Sequence, residues 1–154
     1  MSQPYEDDPA WHMVKRELKN RGKEVVQVYV SSPTGKLDQP YQTLVAFAKT
    51  AELEPGENTW VETAFSLSEA AGYNEEKEVF VLEKDDYILR VGNSSRNTST
   101  AAIITLANDV ITNKVRNCLG KPEYIEEISP DPGNLRGYSG LPADLPRAEL
   151  PVNF

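Results

Sequence analysis

An all-β antiparallel sandwich is the fold class that this 154-residue sequence predicts, and three stretches predict it. In residues 23–30 the valines Val26, Val28 and Val30 share one face while Val25, Gln27 and Tyr29 share the other, the period-two pattern of a strand with one buried side. Leu53-Glu54-Pro55-Gly56-Glu57 then supplies a tight turn, in which Pro55 presets φ and Gly56 accepts a positive φ. Asp86-Tyr87-Ile88-Leu89-Arg90-Val91-Gly92 resumes a strand directly after acidic turn residues.

The elements follow in chain order. Residues 1–11 are polar and contain two prolines, which reads as a leader or linker. Between Trp11 and Asn20 the signal is mixed, since Val14-Lys15-Arg16-Glu17-Leu18-Lys19 also contains good helix formers, but the reading is a first strand lined by Met13, Val14 and Leu18, because Asn20-Arg21-Gly22-Lys23 supplies a turn into the valine-rich second strand. Ser32-Pro33-Thr34-Gly35 ends that strand. A third runs from Gln42 to Thr50, with Leu44, Val45 and Phe47 as its apolar atoms and an irregular alternation that points to a bulge. After the Pro55-Gly56 turn, Val61, Thr63, Phe65 and Leu67 alternate with Trp60, Glu62, Ala64 and Ser66, so Trp60 points away from the core. Residues 68–77 are polar and hold at most one helical turn. Residues 79–82, 87–91 and 100–106 complete the set. Seven strands at this spacing are what an immunoglobulin-like sandwich requires, and Tyr87, just after a turn, stands where a tyrosine corner would tie a strand end to upstream backbone.

The domain is therefore expected over residues 12–107. Residues 108–154 read differently. Residues 110–119 suit a short helix, and beyond Lys121 six prolines (122, 130, 132, 142, 146, 151) forbid regular ladders and favour an extended chain. Tyr124, Ile125, Ile128, Leu135, Tyr138 and other apolar residues are interspersed, more than a tail meant only for solvent would carry. That Pro-rich tail is expected to lie along a surface.

Composition narrows the function. Sixteen basic against twenty-four acidic side chains give a net charge of -8, which argues against nucleic acid and anionic membranes as partners. A single Cys118 allows no intrachain disulfide and suits a reducing, cytoplasmic setting, while a single His12 cannot build a multi-histidine metal site. No cofactor or metal is expected, since the alternating oxygen ligands and glycine break of a calcium loop are absent. The sequence as given shows neither an export signal nor an apolar run long enough to span a bilayer. Asn93-Ser94-Ser95 and Asn97-Thr98-Ser99 have the form of glycosylation sequons, but such triplets arise by chance in Ser/Thr-rich turns.

Taken as a set, residues 22–31 (Gly-Lys-Glu-Val-Val-Gln-Val-Tyr-Val-Ser), Gln39-Pro40 with Leu44 and Phe47, Leu53-Glu54-Pro55-Gly56-Glu57, and Tyr87 through Val91-Gly92-Asn93-Ser94-Ser95-Arg96 resemble the fibronectin type III-like domain of glycoside hydrolase family 3 enzymes, the β-glucosidases and their relatives. The first hairpin is shorter than that family's, and Asp85 stands where the family tends to place glycine before Asp86-Tyr87. The resemblance implies a non-catalytic accessory module that packs against the barrel and α/β sandwich domains where the sugar-cleaving residues lie. No catalytic residue carries over.

The residues themselves agree with that reading. A glycosidase needs two opposed carboxylates, and Glu75, Glu76, Glu78, Asp85 and Asp86 cluster around turns as solvated charge with no pair singled out. Cys118 with His12 makes a poor nucleophile and base, and Gly92-Asn93-Ser94-Ser95-Arg96 precedes no helix that could cradle a phosphate. Candidate contacts to a partner are Gln27, Tyr29, Tyr41, Trp60, Arg90 and Arg96, which alternation or turn position takes off the core. Tyr87, Pro55 and Gly56 are the structural candidates. The expected partners are the catalytic domains of a parent glycoside hydrolase; the alternative is an independent carbohydrate-binding or adhesive module, since Trp60, Tyr29, Tyr41 and Tyr73 could also stack on sugar rings.

Overall fold

The valine-rich segment forms a strand that is paired on both sides, and the largest sheet of the molecule grows outward from it. A computed structural model describes residues 12–15, 20–118, 120 and 145–149 of the chain. Among them are ten strands: β1 (His12–Lys15), β2 (Val25–Ser31), β3 (Thr43–Lys49), β4 (Asn58–Val61), β5 (Gly72–Asn74), β6 (Val79–Leu82), β7 (Asp85–Ser94), β8 (Asn97–Leu106), β9 (Val110–Lys114) and β10 (Arg147–Glu149). The one helical element among the described residues is a 3-10 turn at Leu67–Ala70.

A five-stranded sheet has the order β10-β8-β7-β2-β3, a three-stranded sheet the order β5-β6-β9, and β1 and β4 form a two-stranded ribbon. All pairings are antiparallel except β10 with β8. The core lies on one face of the large sheet, where Val28, Val30, Tyr87, Leu89, Ala102 and Leu106 pack with Ala70, Leu82 and Val110 from the other layer. Burial of such side chains, at about 1.5–3 kcal/mol each, is what holds the layers together. Gly72 on β5 is buried against the Gln39 side-chain amide, which occupies the place a Cβ would need; the Gln39-Pro40 segment can lie on β5 for that reason.

Tyr87 is fully buried and its hydroxyl donates to the Glu83 carbonyl oxygen at 2.9 Å, four residues upstream. Burial, and after it the negative charge of Glu83, pushes the phenol well above its ordinary range. In the Pro55-Gly56 turn, Glu57 N–H donates to the Glu54 carbonyl at 3.0 Å and Gly56 has a φ of 80°. These are the marks of a turn with proline second and glycine third.

Several expectations need correction. The first strand does not form a hairpin with β2 but pairs with β4, because both edges of β2 are taken by β3 and β7. The fourth strand ends at Val61, although Phe65 and Leu67 still pack on the core. Gly72–Asn74 is a strand where a polar connection was read. Asp85 and Asp86 belong to β7, and β8 begins at Asn97. Residues 110–114 are not a helix: Val110, Ile111 and Thr112 are β-branched, and they extend along β6 as β9, so the sandwich continues beyond residue 107. The leader, most of the Pro-rich tail and the side chain of His12 lie outside the described residues.

Candidate docking surface

The face of the large sheet turned away from the core is built by the alternate residues of its strands. Gln27 is opposite Gly92 and Phe47, Tyr29 opposite Arg90 and Leu44, Ser31 opposite Ile88, and Ile88 opposite Ile103. A bulge in β3 decides which of that strand's residues join them. Ala46 pairs with Val28 but Leu44 pairs with Tyr29, leaving Val45 as the extra residue. Val45 and Ala46 both pack on the core, while Leu44 and Phe47, three apart, both face outward.

This outer face divides in two. Toward β8, Ser31, Ile88 and Ile103 are buried even though they lie opposite the core. Toward β3, Tyr41, Leu44 and Phe47 are 56%, 47% and 70% exposed. Between the halves the Arg90 guanidinium lies over the Tyr41 ring, 5.3 Å from its centroid, and its Nε donates to Ser31 Oγ at 3.1 Å. The Tyr29 hydroxyl donates to Gln27 Oε1 at 2.5 Å.

The structure thus brings together four of the six contact candidates: Gln27, Tyr29, Tyr41 and Arg90. Tyr29 is more buried than its off-core position implied. Arg96 is exposed at the tip of the β7–β8 hairpin, and the neighbouring Ser95 carbonyl accepts from Gln42 Nε2 at 2.7 Å, which tethers the tip to the start of β3. Trp60 is 64% exposed but stands apart, on the β1–β4 ribbon. Leu44 and Phe47, two of the apolar residues expected in the third strand, join this outer face, whereas the third, Val45, packs on the core. The signal that separates them is size, since Ala46 and Ala48 are the small residues set opposite Val28 and Val26.

The acidic residues do not converge on a reactive pair. Glu75, Glu76, Glu78 and Asp85 are exposed around turns. Asp86 accepts from Thr105 Oγ1 at 2.6 Å and from Arg147 Nη1 at 2.9 Å. The Thr105 hydrogen bond is the largest effect and, with the hydrogen bond and charge of Arg147, holds this carboxyl below its usual range; burial, second in size, opposes them. A carboxylate so tied is structural. Among the described residues no group of three or more His, Cys, Asp or Glu side chains could hold a metal ion, and no helix is long and apolar enough to cross a membrane.

Residues 24–95 match the fibronectin type III-like domain family. They are such a domain, of the kind carried by glycoside hydrolase family 3 enzymes. β-Glucosidase A of Butyrivibrio fibrisolvens is 38% identical over 103 residues, covering 64% of this chain and 12% of that protein. The solved β-glucosidase of Paenibacillus barengoltzii superposes with a TM-score of 0.64 at 32% identity, covering 69% of this chain and 13% of that one. For β-glucosidase 3B of Thermotoga neapolitana the TM-score is 0.60 at 36% identity, with 66% and 14% covered. The chain therefore spans only a small part of the relatives it matches, and in them the fibronectin type III-like domain is one part of a much longer polypeptide. By itself this domain is not catalytic; it is an accessory domain.

Proposed function

We propose that this fibronectin type III-like domain packs against and stabilises the catalytic domains of a β-glucosidase-type glycoside hydrolase, and that the open half of the outer sheet face is its docking surface. The observation that carries the reading is the exposed apolar stripe Tyr41, Leu44 and Phe47, running along an edge strand beside Tyr29 and Arg90. An aromatic and aliphatic cluster with an arginine at its margin has the composition of an interface centre. Covering Leu44 and Phe47 contributes about 1.5–3 kcal/mol each before ordering costs. The stripe offers exposed apolar contact area.

The test mixes this chain with separately produced catalytic domains of a β-glucosidase of this kind and follows binding by calorimetry and the thermal stability of those domains. Binding that Phe47→Asp abolishes supports the reading. If neither binding nor any thermal shift occurs, or if Phe47→Asp binds as well as the parent chain, the reading fails.

The exposure of Trp60 favours one second reading, an independent carbohydrate-binding module. Titration with oligosaccharides would then change tryptophan fluorescence in the parent chain and not in Trp60→Phe. A docking module is silent to sugar in both. Turnover of an aryl β-glucoside by the chain alone is expected to be absent.

A further inference from the structure

The two lateral edges of the five-stranded sheet end differently. On one side β3 is outermost, and among the described residues nothing pairs with its outer edge. On the other side the sheet does not end at β8, because β10 pairs with it in parallel register, Arg147 beside Ile103, Ala148 beside Ile104 and Glu149 beside Thr105. Ile103 N–H donates to the Pro146 carbonyl at 2.9 Å, and Pro146, without an N–H of its own, cannot carry the ladder further back.

A three-residue strand gains little from its own backbone bonds, so its hold on the sheet depends on side chains. Asp86 supplies one. From β7 it takes the Thr105 hydroxyl on β8 and, across that strand, the Arg147 guanidinium on β10, so a single carboxylate ties three adjacent strands. Upstream of this contact β8 carries a bulge, with Arg90 opposite Thr100 and Leu89 opposite Ala102. The bulge spoils the edge on that side and β10 covers it on the other, two of the devices by which sheets avoid edge-to-edge pairing.

We propose that β10 is a removable edge cap, held by the Asp86–Arg147 contact, that keeps β3 of a second copy of this chain from pairing with β8. The occupant follows from the sheet itself. Beyond its own bulge β3 presents the regular segment 46–49, close in length to the segment 102–106 that β8 offers beyond its bulge. Lys49 is exposed on the outer face of β3, where in a sheet continued into the next copy it supplies the cation that Arg147 supplies within the chain. The consequence is one of symmetry. With β10 in place the sheet ends, among the described residues, in β3 and in a three-residue strand preceded by Pro146, too short to take β3 of another copy; with β10 displaced it ends in β3 and β8, two different edges of similar length, and head-to-tail pairing has no natural end. This inference does not depend on the docking reading.

The test uses the full chain with Ala148→Pro, which removes a backbone N–H from the capping strand, and separately with Arg147→Glu, which leaves the backbone intact and sets like charges against each other. Amide exchange at Ile103 reports the cap, and sedimentation velocity over a concentration series reports assembly. The expected result is loss of protection at Ile103 at the dilute, monomeric end of the series and, as concentration rises, a progressive, open-ended rise in mass with protection regained, both strongest for Ala148→Pro, and return to monomer when Lys49→Glu is added. Unchanged protection of Ile103 in dilute, monomeric Ala148→Pro overturns the proposal. So does lost protection in a chain that stays monomeric throughout, or assembly that Lys49→Glu leaves intact.

Discussion

The half of the outer sheet face nearer β8 and the half nearer β3 are made of the same alternating strands, yet the first is closed and the second open. In the first, Ile88 and Ile103 are buried, Asp86 binds Thr105 and Arg147, and Tyr87 anchors the start of β7 from the opposite face. In the second, Leu44 and Phe47 stand in solvent. The difference teaches that strand pairing alone does not assign a role to a sheet face. One half stabilises the chain; the other has apolar area left for something else.

The sharpest contrast comes from truncating one large apolar side chain in each half. Ile103→Ala is expected to cost about 2–5 kcal/mol in urea denaturation, because it leaves a cavity under closed packing, whereas Phe47→Ala changes the stability of the chain by no more than about 0.5 kcal/mol. Equal losses would erase the distinction between the halves.

Next in size is Tyr87→Phe, which removes the hydrogen bond to the Glu83 carbonyl within a packed setting and is expected to cost about 1–3 kcal/mol. A neutral result in the same denaturation experiment would mean that packing alone fixes the start of β7. Asp85→Gly is expected to act in the opposite direction. Asp85 has a φ of 142°, where only glycine is comfortable, so relief of strain outweighs the lost Asp86 N–H to Asp85 Oδ1 hydrogen bond and raises stability by about 1 kcal/mol. A lower melting temperature in that variant would show the bond to be the stronger effect.

The smallest expected effect depends on pH. Because the folded state holds the Asp86 carboxyl below its unfolded value of about 3.9, the stability it contributes is present above that pH and is lost as pH falls through the lower folded value. Arg147 and Asp86 are both partly solvated, so the contribution is below about 1 kcal/mol. Asp86→Asn should flatten the acid limb of a stability-against-pH curve and leave its alkaline limb unchanged.

Much of the closed half was legible in the sequence, because its determinants are local. The alternation of residues 25–30, the Pro55-Gly56 turn and the position of Tyr87 after a turn each carry a backbone meaning within a few residues. The misread elements were those decided at long range. β1 could be recognised as a strand, but its partner depends on β2 being occupied on both sides. Residues 110–114 are a strand because β6 is there to receive them, and no local signal states that. The open half was half legible: Gln27, Tyr29, Tyr41 and Arg90 fall out of alternation and turn position, but Leu44 required knowledge of where the bulge sits.

The bulge at Val45 has an evolutionary reading. Deleting that one residue would restore plain alternation and leave Leu44 opposite Tyr29 on the outer face, with Thr43 still opposite Val30. The inserted codon therefore adds one more apolar contact to the core without taking a side chain from the outer face, while the valines of β2 stay as they are.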